Sequence, residues 1–263
     1  MPFLYRFFVI AFATILSVLP AHAVLGPESF PAAFDELLKN KNLSNPAMVI
    51  LDENTGAVLY EKNANSQRKP ASLMKILTGA VVLEYLVPES TFSTTVNVNS
   101  ITKTVIIQGS HDPWISMDHK IARKMKRASL PYIGSSAISH VKEVNEGSLK
   151  GYKVIYSGLY SQDVKNLKSY WSKKGFKPSM KAVSDDEAYL AFGDRIVSET
   201  SPTVGAMLEW IMLWSDNVIS ERLARLAAQS AGFNMDKKGV NAVFREMLAK
   251  LEIDDSRLVV DDA

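Results

Sequence analysis

From Leu73 to Leu86 the chain is nearly all apolar, with Lys75 and Glu84 as the only charged residues of the stretch. Its alanine, leucine and methionine content favours a helix. A helix that is apolar on every face is normally buried in a core, because no face of it is well solvated. The stretch therefore predicts a central helix that other elements must cover on all sides.

The length and composition are compatible with such a core. The 263 residues allow one large domain or two smaller ones, and 47% hydrophobic with 22% charged residues is typical of a folded globular protein. Lysine and arginine number 30 against 28 acidic residues, so a net charge of +2 gives no electrostatic signature for nucleic acid. The absence of cysteine excludes disulfides, cysteine-ligated metal and thiol catalysis.

Residues 1–23 predict a secretory signal peptide. Arg6 supplies a positive charge, residues 7–19 are apolar apart from two hydroxyl residues, and Ala21-His22-Ala23 has the small-x-small pattern of a cleavage site. The apolar run is shorter than the roughly 20 residues of a spanning helix, although an uncleaved N-terminal anchor is the alternative. Cleavage would give an exported protein, periplasmic or extracellular, that meets the membrane only during export.

The rest of the pattern predicts an α/β (α+β) chain. A hairpin is expected at 47–60 around a glycine-containing turn, and the later segments predict these elements: strands at 93–98 and 104–108, a basic helix at 116–126, a strand at 152–156, a helix from Ser161 to Gly175, strands at 179–183 and 188–192, and three helices after Ser201. The strand–helix–strand–strand block predicts a small α/β module over 120–199, inserted into a main domain formed by 24–119 and 200–263.

Most kinds of catalytic centre find no support in the sequence. No pair among the four histidines has the spacing of a helical metal site, and neither a phosphate-binding glycine loop nor a G-x-S-x-G elbow is present. We therefore expect no metal and no organic cofactor. A Ser-His-Asp triad stays open as an alternative, but without the elbow motif the sequence favours serine chemistry with a lysine base.

The pattern S-x-x-K places a hydroxyl and an amine on one face of a helix. An uncharged lysine there can take the serine proton, and burial at a helix N-terminus favours the uncharged amine. The pattern is weak by itself and occurs four times: Ser66/Lys69, Ser72/Lys75, Ser100/Lys103 and Ser139/Lys142. Only Ser72 and Lys75 open a long apolar helical stretch. The alternative is that Ser72 is a plain N-cap and that Lys75 extends to the surface.

Ser215-Asp216-Asn217 is a more specific pattern, at a turn between two amphipathic helices. Ser215 could relay a proton between Lys75 and a leaving group, and Asn217 could hydrogen-bond a peptide-like substrate. The alternative is a capping turn, for which all three residue types are favoured.

Together, Ser72-Leu73-Met74-Lys75 and Ser215-Asp216-Asn217 match two of the three motifs of the penicillin-recognising serine enzymes. Residues 46–75 resemble the start of the D-alanyl-D-alanine carboxypeptidases/endopeptidases, the low-molecular-mass penicillin-binding proteins. Residues 105–116, with a Gly-x-x-Asp-Pro turn, are similar to the subgroup that carries a large insertion. The resemblance implies a serine transpeptidase/β-lactamase-like fold, in which an antiparallel sheet is flanked by helices.

The resemblance also implies a function. Ser72 would attack the carbonyl between two D-alanines of a peptidoglycan stem peptide, water would then hydrolyse the acyl-enzyme, and β-lactams would acylate the same serine. Lys75 and Ser215 would be catalytic, and Asn217 would bind substrate. The family's third motif, K-T-G or K-S-G, is not found after Asn217, so the resemblance implies a chain that stops before that strand.

Two alternatives stay open. A β-lactamase of the same fold is disfavoured, because no E-x-x-L-N-like segment follows Asn217 and because Ser215 stands where the class C enzymes carry tyrosine. A non-catalytic peptidoglycan-binding protein would agree with the missing third motif. Residues 151–178 are similar to small sporulation-related repeats that bind glycan strands, which suggests a glycan-binding role for the predicted insert.

Overall fold

The computed structural model describes residues 30–256 and Leu258, and the chain divides into two compact units, 1–69 and 70–263. The predicted signal peptide lies outside the described residues. None of the helices in the described part of the chain combines the length and the apolar character that a membrane span needs.

The first unit contains one helix and one hairpin. Helix α1 (Phe30–Leu38) is followed by the antiparallel strands β1 (Met48–Leu51) and β2 (Val58–Lys62). Tyr60 and Lys62 both donate to the Asp35 carboxylate at 2.9 Å, which fastens the hairpin to the helix. The predicted hairpin is confirmed.

The second unit holds the remaining elements. In chain order they are a 3₁₀ turn (Ala71–Leu73), α2 (Met74–Tyr85), β3 (Ser93–Asn99), β4 (Thr104–Gly109), α3 (His119–Lys124), α4 (Leu130–Val144), β5 (Lys153–Ser157), α5 (Ser161–Lys173), β6 (Met180–Ala182), α6 (Asp185–Leu190), β7 (Asp194–Thr200), α7 (Val204–Trp214), α8 (Asn217–Ser230) and α9 (Lys237–Lys250).

Five of these strands form one sheet in the order β6-β5-β4-β3-β7. Strand β3 pairs antiparallel with β4 and β7, whereas β4–β5 and β5–β6 are parallel pairs, so the sheet is mixed rather than wholly antiparallel. Hydrogen bonds between β4 and β5 join strands on either side of the boundary that the sequence predicts at 119/120. The inserted module over 120–199 therefore stays a prediction. The strands β5 and β6 within this range belong to the same sheet as β3 and β4 of the predicted main domain.

Two hydrophobic clusters organise the unit. One lies between the sheet and the helices α4 and α5, around residues such as Ile107, Ile133 and Trp171. The other is helical, and joins α2, α7, α8 and α9 through residues such as Val81 and Phe244. The second cluster supports the two segments that carry the sequence motifs.

Helix α2 forms where the apolar stretch predicts it, but the expected burial on every face is wrong within the described residues. Its buried face carries Lys75, Thr78, Gly79, Val81 and Val82, while the side chains of Ile76 and Leu83 are 66% and 58% exposed. Small residues explain the buried face, because Met212 of α7 packs directly over the Gly79 backbone. Apolar content alone does not tell which face a helix buries.

A second expectation is corrected at 188–192, where a strand is predicted and the chain forms helix α6 instead. Ser184 caps this helix by accepting from the Glu187 amide at 3.1 Å. Three acidic residues, Asp185, Asp186 and Glu187, occupy the first turn, where the helix dipole favours negative charge. These N-terminal signals outweigh the short apolar run that suggested a strand.

Candidate active site

The Ser72 hydroxyl is presented by the 3₁₀ turn that leads into α2. Ala71, just before it, has a left-handed backbone with φ 48°. That conformation costs an L-residue about 1–2 kcal/mol, and such strain is concentrated at functional sites. The turn leaves Ser72 exposed, and its amide lies where N–H groups have no acceptor within the helix.

Lys75 lies in the first turn of α2 and is 5% exposed, so it does not extend to the surface. Its Nζ donates to Oδ1 of Asn217 at 2.5 Å. Because a buried amine needs a polar partner, this contact explains how the lysine is accommodated. The partner is supplied by the second motif, 142 positions along the chain.

The Ser215-Asp216-Asn217 segment connects α7 to α8, and its residues have different tasks. Ser215 ends α7 in a left-handed conformation, with φ 56°. Asp216 caps α8, since its carboxylate accepts from the amides of Val218 and Ile219 at 3.0 and 3.1 Å. Asn217 is the first residue of α8. Because Asp216 does the capping, the side chains of Ser215 and Asn217 are available for other contacts.

The two motifs meet at the Ser72 hydroxyl. Ser215 Oγ lies 2.7 Å from Ser72 Oγ, within hydrogen-bond distance. Ser72, Lys75, Ser215 and Asn217, the four residues singled out from the sequence, thus form two direct contacts between one end of α2 and the α7–α8 turn. None of the other three S-x-x-K pairs contributes to the cleft described next.

A cleft of about 660 Å³ opens beside these residues. Ser72, Lys75 and Asn217 line one part of it, and the start of α5 lines another. The remaining lining residues include several that no sequence motif marks as functional: Tyr160, Ser161, Gln162, Val218, Glu221, Arg222, Arg225 and Lys237. Glu221 and Arg225 follow Asn217 at intervals of four, the spacing of one helix face, and this periodicity is the signal that could have identified them.

Arg222 joins α8 to α5 through a buried ion pair with Asp163. The Nη2–Oδ2 distance is 3.0 Å, and the side chains are 12% and 7% exposed. The guanidinium also lies 4.2 Å from the centre of the Tyr160 ring. Burial raises the pKa of Asp163, and the charge of Arg222 opposes that rise. The pair fixes one wall of the cleft against the helix that carries Asn217.

We expect Arg222→Met to lower the free energy of unfolding by about 3–5 kcal/mol, because it leaves the Asp163 carboxylate buried without a partner. Urea denaturation measures the effect. The double variant Asp163→Leu/Arg222→Met should recover most of the loss, since an apolar pair leaves no buried charge. The half-buried Arg225 pairs with Glu221, and Arg225→Met is the matched control, with an expected loss of at most about 1 kcal/mol. If Arg222→Met and Arg225→Met lowered the free energy of unfolding equally, the structural role of the buried Arg222–Asp163 pair would be contradicted.

Asp112, in the Gly-x-x-Asp-Pro turn, is 2% exposed and hydrogen-bonded on both carboxylate oxygens. One carboxylate oxygen accepts from the Trp114 amide at 2.8 Å, and the other accepts from Ser201, which in turn receives a hydrogen bond from the Ala128 amide. Burial raises the pKa of Asp112 from 3.8 to about 6, and the Ser201 hydrogen bond opposes that shift.

A pH dependence of stability follows. Between pH 4 and 6 the folded state holds the Asp112 proton more tightly than the unfolded state, so stability falls as pH rises through this window. Two pKa units correspond to about 3 kcal/mol. We expect the free energy of unfolding of the wild type, measured relative to Asp112→Asn by urea denaturation, to fall by that order between pH 4 and 6 and to change little above it. If the free energies of unfolding of the wild type and Asp112→Asn changed by the same amount between pH 4 and 6, the prediction would be contradicted.

Part of the sequence and the fold of this chain are similar to known proteins. Residues 36–132 match the family model of the D-alanyl-D-alanine carboxypeptidases. The fold is similar to the crystal structure of penicillin binding protein 4 from Haemophilus influenzae, with a TM-score of 0.55 and 11% identity over 87% of this chain and 72% of that one. The same protein in complex with a novel β-lactam matches with a TM-score of 0.55 and 12% identity, over 82% and 69% of the two chains. No curated protein sequence matches significantly.

The structural likeness establishes the fold, and the family match covers the segment that contains Ser72 and Lys75. The expected fold class, the resemblance to low-molecular-mass penicillin-binding proteins and the expected kind of enzyme, a serine-type carboxypeptidase, are confirmed.

Proposed function

We propose that this chain, a D-alanyl-D-alanine carboxypeptidase-like peptidase, cleaves the peptide bond between terminal D-alanines of peptidoglycan stem peptides, or the equivalent bond of a cross-bridge, through an acyl-enzyme on Ser72. The observation that carries the proposal is the 2.7 Å contact between the Ser72 and Ser215 hydroxyls beside the buried Lys75. The nucleophile and the amine therefore line one cleft, and the relay hydroxyl contacts the nucleophile, as acyl transfer requires.

In the acylation step, Lys75 in its uncharged form accepts the Ser72 proton, directly or through Ser215. The Ser72 oxygen then forms a bond to the peptide carbonyl carbon. As the tetrahedral intermediate collapses, the carbon–nitrogen bond breaks, and the Lys75 ammonium returns the proton to the departing amine through the Ser215 hydroxyl. The products are a serine ester and the released D-alanine or second strand.

Deacylation reverses these roles with water. Lys75, again uncharged, takes a proton from water, the hydroxyl attacks the ester carbonyl, and the proton returns to the Ser72 oxygen as the ester bond breaks. Asn217 supports both steps, because its amide oxygen receives the Lys75 hydrogen bond at 2.5 Å while its NH₂ group remains as a donor to substrate.

The developing oxyanion needs hydrogen-bond donors. The backbone N–H of Ser72 is suited to this, since it lies in the first turn of its helical segment. The family's third motif would supply a second donor, and the sequence shows no K-T-G or K-S-G between Asn217 and Ala263. We therefore assign the Ser72 amide as one oxyanion donor.

Export is part of the proposal, and the signal-peptide pattern at residues 1–23 supports it. Peptidoglycan lies outside the cytoplasmic membrane, so a peptidase acting on it has to cross that membrane. The mature N-terminus of the secreted protein should be Val24. Recovery of the chain in the cytoplasm with Met1 or Pro2 at its N-terminus would contradict export.

The function is tested by incubating the purified protein with a fluorescent penicillin and, separately, with a peptide ending in D-alanyl-D-alanine. We expect covalent labelling, a matching increase in intact mass, and release of D-alanine. Rapid turnover of the penicillin without a persistent adduct would favour a β-lactamase instead. Binding to purified cell walls with neither labelling nor D-alanine release would favour a non-catalytic wall-binding protein, with the predicted insert as the candidate glycan-binding part.

A further inference from the structure

The cleft beside Ser72 is lined by more cationic than acidic residues. Four of its lining residues are cationic, Lys75, Arg222, Arg225 and Lys237, and Glu221 is the single acidic one. Asp163 balances Arg222 from behind the wall, and Glu221 balances Arg225. The charge of Lys237 therefore remains in excess, and Lys75 adds a second positive charge whenever it is protonated. A cleft of one sign with protein walls raises the local concentration of ligands of the opposite sign.

Arg225 retains binding capacity despite its ion pair. Both Nε and Nη2 donate to the same Glu221 oxygen, at 2.8 and 2.7 Å. The guanidinium has five N–H donors, and those on Nη1 have no partner among the described residues. Arg225 can therefore bind a second carboxylate while it keeps the first.

Lys237 is the other candidate, and its position is unfavourable for the helix that contains it. It is the first residue of α9, whose N-terminus disfavours positive charge, and no described residue pairs with it. A cation that weakens its own helix while it lines a cleft is better explained by a ligand than by stability. The first residues of α5, Ser161 and Gln162, add polar groups to the same cleft.

The helix geometry gives the distance from the scissile bond. Arg225 lies eight residues after Asn217 on one face of α8, so the two positions are about 12 Å apart along the axis. An extended peptide advances about 3.3–3.6 Å per residue. A group that reaches Arg225 is thus three or four residues from the peptide bond that is held at Asn217. In a carboxypeptidase substrate only one residue follows that bond, so the group belongs to the acyl side.

We infer that Arg225 and Lys237 form a subsite for a free carboxylate on the third or fourth residue of the acyl side of the peptide substrate. This inference rests on the proposed function, because it takes Ser72 and Asn217 as the place of cleavage. The recognised group is a carboxylate of the substrate, and it lies on a residue other than the terminal D-alanines.

Binding tests the inference without turnover. Two acetylated, C-terminally free pentapeptides ending in D-alanyl-D-alanine are compared by calorimetry on the Ser72→Ala protein, one with glutamate and one with glutamine at the second position. We expect the glutamate peptide to bind about five- to tenfold more tightly at low salt, and the ratio to shrink at high salt. The ratio should fall to about one in Arg225→Gln/Lys237→Gln. It should persist in Lys238→Gln, which removes an adjacent charge outside the cleft lining.

Equal affinities of the two peptides for the unmodified cleft would overturn the inference, whatever the state of the variants. A ratio that survives the double substitution would also overturn the assignment to these two residues. Penicillin labelling of the wild-type protein separates the two proposals. Labelling with equal peptide affinities rejects the subsite alone, whereas no labelling together with no binding of either peptide rejects the peptidase function and the subsite with it.

Discussion

Replacing Ser72 with alanine should abolish covalent labelling by a fluorescent penicillin, with less than about one part in a thousand of the wild-type signal remaining. The substitution removes the only atom to which the acyl group is proposed to bond, and activity after loss of a nucleophile comes from other groups alone. Ser72 is exposed at a turn, so the variant should fold normally. Labelling is followed by gel fluorescence and intact mass.

Ser66→Ala is the matched control, because Ser66 belongs to a second S-x-x-K pair that does not line the cleft. Its Oγ donates to the Asn63 carbonyl at 2.7 Å, so it has a local structural contact. Full labelling of this variant and none of Ser72→Ala identifies the acylated residue. Undiminished labelling of Ser72→Ala would eliminate Ser72 as the nucleophile.

Lys75→Arg should lower the rate of acylation by about 10²–10⁴-fold, the range that general acid–base catalysis contributes. Arginine keeps the positive charge and can donate to Asn217, but it stays protonated and cannot accept the serine proton. Lys75→Met should lower the rate by a similar factor for a different reason, since it has no ionisable group. The second-order rate constant for penicillin acylation measures both.

Lys69→Arg, in the pair Ser66/Lys69, controls for the loss of a lysine close to the motif and should leave the rate unchanged. Thermal unfolding of the Lys75 variants distinguishes a chemical defect from a folding defect, because Lys75 is buried and holds Asn217. A Lys75→Arg protein that is folded and acylates at nearly the wild-type rate would disprove the role of Lys75 as base. A defect limited to Lys75→Met would have the same meaning.

The site was predictable to the extent that it is encoded locally. Ser72 and Lys75 occupy one turn, and Asp216 caps α8 with a side chain next to its own helix. Short-range patterns of this kind determine the local geometry and do not depend on the rest of the fold. The contact between Ser72 and Ser215 spans 143 positions, and only the family resemblance made it an expectation.

The cleft walls were not predictable in the same way. Arg222 forms an ion pair with the buried carboxylate of Asp163, which lies 59 positions earlier in the chain. No local sequence pattern predicts this pair. No local sequence pattern predicted the helix at Leu130–Val144 or the strand at Asp194–Thr200. These elements depend on burial against the sheet, in which β7 pairs with β3 about 100 residues earlier. Such partners are set by tertiary packing rather than by propensity.

The division of tasks within residues 215–217 bears on how the motif can be recognised elsewhere. The Asp216 side chain caps α8 through one carboxylate oxygen, and serine, threonine or asparagine can accept the same hydrogen bonds. The outer two residues contact the hydroxyl of Ser72 and the amine of Lys75, so position 215 needs a hydroxyl, from serine or tyrosine, and position 217 needs the asparagine amide. A search that fixes all three letters would overlook chains with the same constellation, while one that leaves the middle letter open among helix-capping residues would retrieve them.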